Sequence, residues 1–117
     1  MSSRPYHLTL PARCTTGVVF ASPHSGRMYP ASFLRRSVLD ERAIRSSEDA
    51  FVDRLLEVVP DFGAPLLTAI APRAFVDLNR APDELDPAVI EGVTVGAHNP
   101  RINSGLGVVP RVVAGGK

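Results

Sequence analysis

An α/β domain built on a mixed sheet is what this chain predicts, and three features predict it. A compact apolar run ends in a loop of turn-forming residues. One later stretch carries helical periodicity, and two further apolar runs follow it, separated by only four residues. So short a joint, built around Ala-Pro-Arg, cannot make a parallel crossover, and those last two runs, if neighbours, pair antiparallel.

Residues 1–16 read as an irregular lead-in with one short strand over Tyr6–Leu10, closed by Pro11. The run Gly17-Val-Val-Phe-Ala-Ser22 is apolar and partly β-branched, and it leads into Pro23-His-Ser-Gly26, the pattern of a buried strand entering a tight loop. Pro30 suits the opening of a short helical turn over Ala31–Leu34. The main helix is expected over 48–59. Ser46 and Ser47 are suitable caps, Glu48 and Asp49 complement the helix dipole, and Val52, Leu55, Leu56 and Val59 fall on one stripe. Pro60 ends it and Phe62-Gly63 turns the chain. Leu66–Ile70 and Phe75–Leu78 are the two remaining core strands. After Arg80, prolines and glycines break the chain into loops with at most short strands at Val93–Val95 and Val108–Val113. The apolar run near the end has no helix to cover it, which reads as an incomplete domain.

Charge narrows the function. Thirteen basic and twelve acidic residues nearly cancel in 117, so no strong field draws nucleic acid or an anionic membrane. The only lysine is Lys117; every other cation is an arginine, the side chain suited to gripping carboxylates in a bidentate fork. Cys14 is the single cysteine, which excludes an internal disulfide and a cysteine-based zinc site. A buried or half-buried thiol and a cytoplasmic setting are expected of it. Gly17–Ala21 is far too short to span a membrane.

Three constellations carry chemistry. His24 follows the predicted buried strand, where a rigid element aims a loop residue into a crevice, and neutral imidazole is the commonest zinc ligand. The bland alternative is a loop histidine bonded to a nearby carbonyl. Glu48 and Asp49 read first as dipole complements and capping groups; the alternative is that Asp49, at the edge of the stripe, is a carboxylate facing His24. One histidine and one carboxylate would be two of the three protein ligands of a catalytic zinc. Arg73 and the segment ending Asn79-Arg80 offer an oxyanion-stabilising cation and a carboxylate clamp, or else a salt-bridge cluster with Asp77, Asp83, Glu84 and Asp86. His7 and His98 read as surface or structural histidines. Ser104-Gly-Leu-Gly-Val-Val-Pro-Arg111 reads as a turn bringing Arg111 or backbone amides near a site.

Four ordered blocks together resemble the N-formylglutamate amidohydrolase family. They are Ser22-Pro-His-Ser-Gly26 with Tyr29-Pro30, Glu48-Asp-Ala-Phe-Val-Asp53, Pro72-Arg-Ala-Phe-Val-Asp-Leu-Asn-Arg80 with Glu84-Leu-Asp-Pro87, and Gly105-Leu-Gly-Val-Val-Pro-Arg111. The resemblance covers residues 17–117, as the N-terminal part of such a domain. It implies a zinc-carboxypeptidase-like (phosphorylase/hydrolase-like), mixed-sheet three-layer fold related to aspartoacylase-like deacylases, and zinc-dependent hydrolysis of N-formyl-L-glutamate or a similar N-acyl amino acid. By the same resemblance His24 is a zinc ligand and Asp49, or Glu48, a second. Asn79 and Arg80 grip the substrate carboxylate, and Arg73 polarises the scissile carbonyl. Family members are more than twice this length and carry a later histidine ligand and the carboxylate base, so this chain is expected to be weakly active or inactive by itself. The alternative is a metal-free carboxylate-binding module.

Overall fold

The computed structural model describes residues 4–94, 96, 99–113 and 115. Its centre is a three-stranded sheet in the order β1-β3-β2, with β1 at Tyr6–Thr9, β2 at Phe20–Ser22 and β3 at Leu66–Ala69. β1 pairs antiparallel to β3 and β2 parallel to it, so the sheet is mixed as expected. Pro65 and Pro72 bracket β3, and Leu66 and Ala69 are buried. Leu66 packs with Val59, Ala64 and Leu56, forming a small core beneath one face of the sheet.

The helices are short: α1 at Ala31–Arg36, α2 at Glu41–Ile44, α3 at Val52–Leu55 and α4 at Pro100–Asn103. Pro30 opens α1 as anticipated, standing at its cap. Phe33 of α1 meets Phe75 edge to face, with ring centroids 5.2 Å apart. Asp40 caps α2 by accepting the Ala43 N–H at 2.7 Å.

Several sequence expectations are corrected. No continuous helix runs over 48–59. Ser46 and Ser47 lie inside a 3₁₀ turn at Arg45–Ser47 and cap nothing; Asp49 stands in a loop, and Phe51 takes a left-handed φ of 65° before α3 begins. The cause is tertiary: the Asp49 N–H donates to the His24 carbonyl at 2.9 Å, which holds the chain out of helical geometry there. A second 3₁₀ turn, Val59–Phe62, includes Pro60 and closes at Gly63, whose φ is 83°. Leu55 is 79% exposed, so the predicted stripe is buried only at its far end.

Phe75–Leu78 is not a strand. The N–H groups of Phe75 and Val76 both donate to the Pro72 carbonyl, folding the segment into a turn, and β3 already has a neighbour on each side. The Gly17–Ser22 run is a strand only from Phe20, at an edge of the sheet, and Val18, Val19 and Phe20 are exposed rather than buried as expected. Val108–Val113 forms no strand. The Val93–Val95 expectation lies partly, and His98 wholly, outside the described residues. Cys14 is exposed rather than buried, its thiol donating to the Thr16 carbonyl, and His7 is exposed on β1.

The loops after Arg80 are held by carboxylates. Glu84 accepts from the Ala81 N–H, Asn99 and Arg101, and Asp86 from the Ala88 N–H and Arg111. Those backbone N–H donors, helped by the side-chain partners, hold both carboxyls below the ordinary range in spite of desolvation.

Candidate active site

The loop leaving β2 is fixed from within before it presents His24. The Ser22 hydroxyl donates to the Ser25 hydroxyl at 2.7 Å, and both residues are buried. Gly26 is required for a different reason: a β-carbon there would collide with the Ala71 carbonyl, so only glycine lets the loop lie against the end of β3. His24 emerges buried, its ring between two carboxylates.

On one side Nε2 lies 2.7 Å from Asp77 Oδ1. Asp77 is 3% exposed and also accepts from Arg73 Nε at 3.2 Å and from the Asn79 N–H at 2.9 Å. Burial alone would raise its carboxyl. The hydrogen bonds from His24 and Asn79, with the charge of Arg73, outweigh that and hold it below the usual range. An ionised carboxylate only accepts, so Nε2 carries the proton.

On the other side Nδ1 lies 3.7 Å from Asp49 Oδ2, too far for a hydrogen bond. In the neutral ring this leaves a lone pair and a carboxylate oxygen facing each other, an arrangement that favours a cation between them. Two tetrahedral ligands, each about 2.0–2.2 Å from a zinc ion, stand about 3.3–3.5 Å apart. The donor set and its spacing therefore fit a zinc ion held by His24 Nδ1 and Asp49, with Asp77 fixing the ring from behind. Among the described residues no third histidine, cysteine or carboxylate completes such a cluster.

A cleft of about 490 Å³ opens beside this group. Glu48, Asp49, Arg73 and Asp77 form its polar side, and Leu106, Pro110, Val112 and Val113 its apolar wall. The wall is tied to the site because the Asp77 N–H donates to the Val108 carbonyl at 2.8 Å. So the Ser104–Arg111 segment does reach the site, by its backbone and apolar side chains; Arg111 itself goes to Asp86.

Of the residues singled out from sequence, the fold brings His24, Asp49 and Arg73 together. Glu48 lines the same cleft, but its carboxylate is taken by the Tyr29 hydroxyl at 2.6 Å and Arg45 Nε at 3.1 Å. Asn79 and Arg80 do not line the cleft. Arg80 Nε donates to the Leu106 carbonyl at 3.2 Å and its NH1 to the Asn79 carbonyl at 3.1 Å. Sequence reasoning treated Asp77 only as a charge neutraliser and missed it as the hub. The available signal was a lone carboxylate inside the apolar run Phe75-Val-Asp-Leu78, since a buried carboxylate must be paired.

A family model described as N-formylglutamate amidohydrolase matches residues 16–117. No curated protein matches the chain. Among solved structures, the crystal structure of N-formylglutamate amidohydrolase from Ralstonia eutropha JMP134 is similar at 40% identity with a TM-score of 0.78. The similarity covers 91% of this chain and 38% of that one, so the present chain spans well under half the length of that protein.

Proposed function

The chain belongs to the N-formylglutamate amidohydrolase family, and on that premise we propose that it carries the metal-binding and carbonyl-polarising part of a zinc amidohydrolase site. The substrate class is N-formyl-L-glutamate or a similar N-acyl amino acid, cleaved at its amide bond to formate (or another acid) and the free amino acid. The mixed sheet would then be part of a zinc-carboxypeptidase-like three-layer fold. The observation that carries the reading is the His24 ring, locked at Nε2 by Asp77 and facing Asp49 across 3.7 Å at Nδ1.

A zinc ion held by His24 and Asp49 would supply a Lewis acid and an acidified water. Every other part of the proposal belongs to this chain's own side chains. Asp77 keeps the Nε2 proton in place, so the Nδ1 lone pair stays available to the metal. Arg73 spends its Nε–H on Asp77, and because it lines the cleft its guanidinium is the nearest cation to a substrate carbonyl there. The apolar wall of Leu106, Pro110 and Val112 excludes water from one side of the cleft. Asn79 and Arg80 remain the proposed grip on the substrate carboxylate. Since Arg80 also braces Leu106, its replacement should disturb the wall as well as the grip.

Titrating the chain with Co²⁺ while following the ring signals of its histidines by NMR tests the metal assignment without relying on turnover. His24 should broaden first, and either His24→Ala or Asp49→Ala should abolish that site. Any formate release from N-formyl-L-glutamate, expected to be weak in this chain alone, should require zinc and vanish in the same two variants. Cobalt binding that neither substitution alters would overturn the reading.

A further inference from the structure

Glu48 follows a solvent-facing turn, yet its side chain is only 5% exposed, with its carboxylate bonded to Tyr29 and paired with Arg45. We propose that Tyr29, Arg45 and Glu48 form a clamp that sets Asp49 opposite His24, so that Glu48 is a positioning residue and not a metal ligand; this rests on the reading of the His24–Asp49 pair given above.

Three observations carry it. First, the contacts close a triangle. Glu48 Oε1 accepts from the Tyr29 hydroxyl and forms an ion pair with Arg45 Nε at 3.1 Å, and the Arg45 guanidinium lies over the Tyr29 ring, 5.8 Å from its centroid. Burial, together with the bond and the charge of Glu48, pushes the Tyr29 hydroxyl well above its ordinary range, so it stays a donor. Second, the triangle joins the two segments that bear the site. Tyr29 lies on the chain that leaves β2 through His24, and Arg45 and Glu48 lie on the turn that runs into Asp49. Third, the two neighbouring carboxylates have separate partners: Glu48, with φ −67° and ψ 138°, reaches Tyr29 and Arg45, while Asp49 Oδ2 lies 3.7 Å from His24 Nδ1. With Glu48 held at Tyr29, the next residue is held at the β2 loop by its own N–H, which donates to the His24 carbonyl at 2.9 Å. The bidentate Arg27–Asp53 pair, at 3.3 Å for each bond, makes a second tie between the same two segments and leaves the aim of Asp49 to the clamp.

The full chain carrying Glu48→Ala, Glu48→Gln or Tyr29→Phe is compared with the parent by two measurements. Without metal, amide hydrogen exchange at Asp49 should accelerate about 10-fold in Glu48→Ala while Leu66–Ala69 stay unchanged. With Co²⁺ alone as the probe, affinity should fall about 10-fold in the same variant. Glu48→Gln keeps the accepting oxygen and should lie within about threefold of the parent in both. Should Glu48→Gln lose cobalt as fully as Glu48→Ala with Asp49 exchange unmoved, Glu48 is a ligand and the clamp is wrong. Unchanged Asp49 exchange in Glu48→Ala overturns it as well. If Glu48→Ala unfolds, so that exchange rises in β3 too, Tyr29→Phe decides: faster exchange confined to Asp49 supports the clamp, and no change overturns it. A parent chain that binds no cobalt would defeat the metal assignment, while the exchange comparison would still decide the clamp.

Discussion

Asp77 holds more of the site than any other side chain, and its chemistry gives a pH signature. Its ionised form is stabilised in the fold, so its carboxyl titrates below the value near 4 expected of the unfolded chain. The stability it contributes is complete above about pH 4 and is lost as the pH falls from there through the depressed folded value. Asp77→Ala strands the Nε2 proton of His24, Arg73 Nε and the Asn79 N–H together, and should cost about 2–3 kcal/mol at neutral pH in urea unfolding. In the same variant the loss of stability between about pH 4 and pH 2 should be shallower than in the parent. An equally steep acid limb would show that Asp77 is not the titrating group. The site was legible from sequence to the extent that each block kept its own polar residue: His24 after the apolar run, Asp49 after Glu48, Arg73 after Pro72. What no spacing could supply was the partnership across 53 positions between His24 and Asp77. That contact exists only because the Pro72 turn folds residues 73–77 back toward the β2 loop.

At the scale of elements, local signals survived where the backbone decides and failed where tertiary contacts do. Proline and glycine punctuation placed the breaks correctly at Pro30 and Gly63, and the sheet is mixed, although β1 and not Phe75–Leu78 is the antiparallel partner of β3. The helical stripe of 48–59 is real in the sequence but is overruled at Phe51, where the backbone is left-handed. Comparing Phe51→Gly with Phe51→Ala tests this by sign. In a continuous helix alanine is the more stable by about 1 kcal/mol. At φ 65° glycine should instead be the more stable by about 1–2 kcal/mol, and both variants lose the Arg27 contact over the Phe51 ring equally. A thermal-unfolding series on these two proteins gives the answer. Gly26→Ala belongs to the same scale. Its added methyl meets the Ala71 carbonyl, a backbone atom that cannot swing aside, so a loss of about 1–3 kcal/mol is expected. Because that strain falls in the loop bearing His24, cobalt affinity should drop alongside stability.

For the whole molecule, the balance between what is covered and what is not is uneven. The radius of gyration is 15.9 Å, against about 13.4 Å for a compact domain of this length. Among the described residues the buried hydrophobic set is Ile44, Val59, Ala64, Leu66, Ala69 and Ala74, half of it alanine, and an equal number of buried residues are polar. Meanwhile register places Leu8, Leu67 and Ala21 side by side on the sheet face opposite Leu66. Leu8 on that face is 47% exposed, and Val18 and Val19 are exposed on the approach to β2. Among the described residues that face is only partly covered and β1 and β2 have no further strand beside them, a surface of the kind that associates or binds apolar probes. The chain should therefore bind an apolar fluorescent dye and sediment with increasing apparent mass as its concentration rises. Leu8→Lys should reduce both effects while leaving the metal site untouched, because β1 lies at the far edge of the sheet from the β2 loop that bears His24. Leu8 adds little to the core, so its replacement should change stability by less than about 1 kcal/mol. A parent chain that stays monodisperse and dye-free would mean that this face is not apolar enough to act. A Leu8→Lys variant that lost cobalt binding would mean that sheet and site are coupled more tightly than their separation across β3 implies.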